Sequence, residues 1–112
     1  MQWTVTALQA ASFSGHLTAV SFLVLKAGAD VNMECVDNHA ALFYAARNGH
    51  LEIVKFLVVI GKANIERMSG PSNWTALAIA CNNGQSKVVE FLVEKGAQVD
   101  ADDTFLLKCA VN

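Results

Sequence analysis

The side chains best suited to chemistry in this chain of 112 residues are three histidines, three cysteines and ten carboxylates. His16 and His50 lie 34 positions apart, each directly after a glycine, and Gln85 holds the same place after Gly84. Two imidazoles could ligate zinc, but the series then runs out, because glutamine is a poor replacement for a histidine ligand. A polar group that ties down a turn accounts for all three. Cys35, Cys81 and Cys109 are an odd number without CxxC spacing, which suits free thiols in a reducing compartment better than a disulfide framework. Cys81 follows Ala80 in a pair of small residues and reads as a packed thiol. Asp100, Asp102 and Asp103 crowd one short stretch; a solvated loop tip explains them, with a cation site as the sharper alternative. Asn73-Trp74-Thr75 is formally a glycosylation acceptor, read as a chance match because nothing else in the chain looks secreted. No P-loop, GxGxxG, HExxH, GxSxG or calcium-loop pattern occurs. The expectation is no catalytic residue, no metal site and no cofactor.

Composition narrows the class further. The chain is 54% hydrophobic, 16% charged and net −2, which describes one folded module rather than a disordered segment. Its eight Lys and Arg are scattered, so no basic stripe invites nucleic acid. No apolar run reaches the roughly 18–20 residues that cross a bilayer, and the opening MQWTVTALQA lacks the build of a secretory signal. The expected location is intracellular and cytoplasmic, with the nucleus equally compatible.

The elements that would position these side chains come from an internal repeat. GHLTAVSFLVLKAGADVN (15–32) returns as GHLEIVKFLVVIGKANIE (49–66) and as GQSKVVEFLVEKGAQVD (84–100). Nine residues before each glycine stands a similar opening, at Thr6-Ala7-Leu8, Ala40-Ala41-Leu42 and Thr75-Ala76-Leu77. A small pair lies between: Ala11-Ser12, Ala45-Ala46 and Ala80-Cys81. Thr6, Thr75 and Thr104 are placed to cap a short first helix of under three turns, which Gly15, Gly49 or Gly84 then ends. A second helix carries an apolar stripe at i, i+1, i+4 and i+5: Ala19, Val20, Leu23, Val24; Ile53, Val54, Leu57, Val58; Val88, Val89, Leu92, Val93. Gly28, Gly61 and Gly96 are expected to stop it. One helix pair cannot bury its own stripe, so the pairs must stack. The recurrence of Phe22, Phe56 and Phe91 argues for a packing role.

Thr-x-Leu-x-x-Ala, Gly-His, Val-x-Phe-Leu-Val and the Gly-Ala-Asp-Val-Asn of 28–32 together resemble the ankyrin repeats, over essentially the whole chain. The resemblance implies an all-α repeat solenoid of stacked helix-turn-helix pairs with β-hairpin-like loops. It implies a single domain over 1–112, with repeats near 4–36, 38–72 and 73–101 and a partial one at 102–112. Four departures stand out. The Pro and His of the family opening are absent, with Phe43 or Leu107 expected to substitute packing for a lost polar tie. Lys62 falls opposite Gly28 when the copies are aligned by 34. The loop from Gly61 to Thr75 is long and holds the only proline, while that from Gly96 to Thr104 is short. Finally, Met1-Gln2-Trp3 begins in what would be a loop, and TFLLKCAV leaves Phe105, Leu106 and Val111 uncovered. With a mean hydropathy of +0.36, these features suggest a piece of a longer array with ends prone to self-association.

For function, the resemblance implies a concave partner surface of loop fingers and first-helix ends. Carried over by position, this gives Val5, His39 and Trp74 before the openings. The first-helix ends give Phe13, Ser14, Arg47, Asn48, Asn82 and Asn83, and the fingers give Glu34, Val36, Asp37 and Met68. Tyr44 lies one residue inside its helix, where its hydroxyl reaches toward the groove. Arg47 and Trp74 stand out, since Arg and Trp are enriched at binding hot spots. The leading expectation is a non-catalytic module that binds another protein or peptide segment. The alternative is a structural spacer within a larger protein such as a ubiquitin ligase, a kinase or a channel.

Overall fold

In a computed structural model, residues 2–33, 40–68 and 74–96 are described, with side chains in the first helix from Ala7 onward. They form six helices in three pairs, with no β-strand among them: α1 Gln2–Ser14 and α2 Leu17–Leu25, α3 Ala41–Arg47 and α4 Leu51–Val59, α5 Ala76–Asn82 and α6 Ser86–Glu94. The first helices stack α1 on α3 on α5, and the second helices stack α2 on α4 on α6, giving two layers. This is the all-α repeat arrangement anticipated from the periodicity. The residues expected to form hairpin-like loops, 34–39 and 69–73, lie outside the described residues, as do Thr104, Leu107 and the uncovered apolar residues of the partial repeat.

The opening leucines Leu8, Leu42 and Leu77 are all buried, and so are the small pairs Ala11-Ser12, Ala45-Ala46 and Ala80-Cys81. Small residues on facing first helices allow these backbones to approach closely. Phe43 is buried in the same core, in keeping with a packing substitute for a polar tie. Most of the second-helix stripe is covered: Val20, Ile53, Val54, Leu57, Val88, Val89 and Leu92 are buried, and Leu23, Val24 and Val58 pack partly against them. Ala19 and Val93 are exposed instead.

Four expectations need correction. The first helix is 13 residues long, not under three turns, and runs back through Gln2 and Trp3 where a loop was expected. No Gly or Pro stands between Met1 and Gly15 to end it earlier. Thr6 therefore lies inside α1 rather than at its start, whereas Thr75 does cap α5, its Oγ accepting the Ala78 N–H at 3.2 Å. The residue that closes α4 in the left-handed region is Lys62 (φ 58°), not Gly61, in the place taken by Gly28 (φ 72°) and Gly96 (φ 94°). Gly61 is needed for space, since a Cβ there would lie 2.9 Å from the Leu57 carbonyl oxygen and from Val31 Cγ2. Finally, Phe91 is buried and Phe56 partly so, but Phe22 is 60% exposed.

Candidate partner-binding surface

The glycine that closes each first helix is the point where neighbouring repeats meet. Gly15 and Gly49 both have positive φ, 84° and 74°. A Cβ on Gly15 would sit 2.7 Å from His50 Cε1, and one on Gly49 would collide with the Gln85 side chain. The absent side chain thus leaves a cradle into which the next repeat inserts its polar turn residue. From there His50 Nε2 donates to the Phe13 carbonyl (2.9 Å), and Gln85 Nε2 donates to the Arg47 carbonyl (3.0 Å). A carbonyl can only accept, so this His50 nitrogen carries its proton. The role expected for the histidine series, tying down a turn, is met by bonding across repeats rather than within one.

A second cross-repeat tie was missed. Asn32 Nδ2 donates to the Lys62 carbonyl (3.2 Å), and the Asn64 N–H donates to Asn32 Oδ1 (2.6 Å). Its trace in the sequence is faint, since Asn32 ends ADVN opposite Glu66 and Asn64 stands opposite Asp30 when the copies are aligned by 34. These ties fix the spacing of the loops and helix ends that carry the candidate residues.

The candidates themselves divide. Phe13 is 47% exposed at the end of α1. It meets Tyr44 of the next repeat edge to face, with centroids 5.9 Å apart and planes at 68°. Tyr44 in turn meets Phe43 at 5.8 Å and 88°. Arg47 and Asn82 are exposed at the register of Phe13, Ser14 and Asn83 are exposed one residue further on, and Met68 is exposed on its loop. Phe13, Arg47 and Asn82 thus share one register along the first-helix layer, with half-buried Tyr44 in ring contact with Phe13 beside them. Two other amides are engaged internally: Asn48 Nδ2 donates to the Phe13 carbonyl (2.8 Å) and Asn83 Nδ2 to the Ile79 carbonyl (3.2 Å). Trp74 is half-buried and packs against the hydrophobic core. Glu34, Val36, Asp37 and His39, and the side chain of Val5, lie outside the described residues.

A small cavity lined by Asn32, Leu42, Phe43, Asn64 and Arg67 among others has a volume of about 10 Å³, room for about one water. Among the described residues no three His, Cys, Asp or Glu side chains gather to hold a metal, and no helix is long and apolar enough to cross a membrane. Asp100, Asp102 and Asp103 lie outside the described residues.

Known proteins resemble the chain in the same terms. Cortactin-binding protein 2 of Dasypus novemcinctus is 43% identical over 61 residues, covering 54% of this chain and 4% of that protein. Its counterpart in Mus musculus is 43% identical over 53 residues, covering 47% and 3%. The chain therefore spans only a few per cent of the length of these curated relatives. A solved structure described as the Bd0816 predatory endopeptidase from Bdellovibrio bacteriovorus in complex with immunity protein Bd3460 contains a similar chain. That chain superposes with a TM-score of 0.80 at 30% identity, over 94% of this chain and 62% of its own length. Residues 7–103 match the family description "Ankyrin repeats (3 copies)". With the period, the paired helices and the cross-repeat ties in agreement, the chain belongs to the ankyrin-repeat family.

Proposed function

We propose that this chain is a non-catalytic protein-binding module that holds a partner protein or peptide segment against the first-helix layer at Phe13, Tyr44, Arg47 and Asn82. Ankyrin repeats are protein-interaction modules. The observation that carries the finer reading is the contrast within each first helix. Leu8, Leu42 and Leu77 are buried one after another, whereas the helix-end side chains differ in kind and stay exposed. A solenoid of this sort keeps its core constant and varies the face it offers. The printed names of the relatives, a cortactin-binding protein and a complex with an immunity protein, support a protein as the partner. Scattered cations argue against nucleic acid, and three cysteines without CxxC or paired spacing support an intracellular, cytoplasmic setting.

The test is affinity capture with the wild-type chain and with Phe13→Ser/Arg47→Glu, a pair that leaves the core intact. Trp74 is left unchanged because it supports that core. The double variant should unfold at nearly the wild-type temperature and lose the captured protein. Capture that survives the change would move the binding surface elsewhere. The second reading, a spacer within a larger protein that serves only its own neighbours, is favoured by how little of the curated relatives the chain covers.

A further inference from the structure

The three first helices are almost without charge. Across Gln2–Ser14, Ala41–Arg47 and Ala76–Asn82 the only ionised side chain is that of Arg47. The second helices hold the mixed charges instead. Glu52 and Lys55 of α4 approach to 4.0 Å, and α6 carries Lys87, Glu90 and Glu94. Arg47 stands in the middle pair, with a described helix pair on either side, so its exposure does not depend on where the stack ends. Among the described residues its guanidinium has no ion-pair partner.

A cation in the last turn of a helix is ordinary by itself, since it complements the helix dipole. What gives this one a further meaning is its company. One repeat back at the same register is Phe13, 47% exposed and met edge to face by Tyr44 at 5.9 Å. One repeat on is Asn82, exposed and neutral. The register therefore presents an apolar ring, then a cation, then an amide. No acidic side chain of the first helices competes for the cation.

We propose that this face takes an acidic peptide segment in extended form, with an apolar side chain on the Phe13 ring and an Asp or Glu carboxylate on the Arg47 guanidinium. The proposal rests on the reading of this face as the partner-binding surface and adds the chemistry of the partner. A planar guanidinium holds a carboxylate through two parallel N–H···O bonds. Packed helices stand about 8–10 Å apart, and an extended chain advances about 3.3 Å per residue, so side chains about two or three residues apart bridge the two positions.

Selection of a displayed library of random dodecapeptides on the immobilised full chain tests this. Enriched peptides should carry Asp or Glu two or three residues from Phe, Trp, Tyr or Leu, in either chain direction. A synthetic peptide of the enriched consensus should bind Arg47→Gln about 5- to 10-fold more weakly than wild type. Added salt should weaken its binding to wild type and leave the Arg47→Gln value nearly flat. Arg47→Glu, put through a fresh selection, should exchange the acid for Lys or Arg at the same spacing. Circular dichroism on each variant confirms that it is folded, and the salt series on wild type needs no variant. Binding that is indifferent both to salt and to Arg47→Gln overturns the acidic assignment. If Phe13→Ser still abolishes that binding, the partner-binding reading of the face stands without it. Peptides that survive both Phe13→Ser and Arg47→Gln, or no enrichment over an uncoated surface, overturn both.

Discussion

Ser12 is fully buried in α1, and its hydroxyl has no hydrogen-bond partner among the described residues. Ala46 and Cys81 occupy the same register in the next two repeats, so nothing in the packing calls for a hydroxyl. An unsatisfied buried hydroxyl costs about 1–3 kcal/mol. Ser12→Ala should therefore raise stability by about 1 kcal/mol, read as a higher denaturant midpoint at unchanged slope. Lys62 is the other residue at odds with its place. A side chain in the left-handed region is strained, and glycine relieves that strain while adding freedom to the unfolded chain. Lys62→Gly should stabilise by about 0.5–1 kcal/mol, and chemical denaturation will show it. The Lys62 carbonyl that accepts from Asn32 is retained in that variant. Residues of this kind were half legible. The register of 34 placed Lys62 opposite Gly28, but only the backbone decides which of two adjacent residues takes positive φ.

At the scale of the element, helix lengths follow local signals where those signals exist. Thr75 caps α5, and α5 is seven residues long with the same span as α3. α3 starts after Ala40, which offers no side-chain cap. Thr75→Ala should therefore make the third repeat resemble the second at its start and cost about 1 kcal/mol, measured by thermal unfolding. Where the signals are missing, the sequence misleads. Thr6 looks like a cap by analogy with Thr75, yet α1 continues past it because no breaker stands upstream. The second helices were legible from their stripe, since burial at i, i+1, i+4 and i+5 is a property of one helix. The ties between helices were not, because they end on carbonyls of Phe13, Arg47 and Lys62, and a carbonyl has no letter in the sequence.

At the scale of the molecule, the three described helix pairs share one core, and each first helix has an exposed side chain at its end, Phe13, Arg47 or Asn82. The period made that architecture readable, because a fixed repeat of 34–35 residues leaves few ways to bury the stripes. The face was readable only as positions. That Asn48 bonds back to the Phe13 carbonyl, and that Trp74 leans on the core, depends on contacts between residues far apart in sequence, whereas the Asn83 amide is engaged by Ile79 only four residues back. Phe13, Tyr44, Arg47 and Asn82 remain as the residues that carry the binding claim. The measurement that tests it most directly places a photo-crosslinking residue in turn at 13, 47 and 82, and at 55 and 90 on the second-helix layer, where Lys55 and Glu90 are exposed. The account predicts that the three first-helix positions crosslink to one and the same partner protein while positions 55 and 90 do not. Equal or stronger crosslinking from 55 and 90 would contradict it.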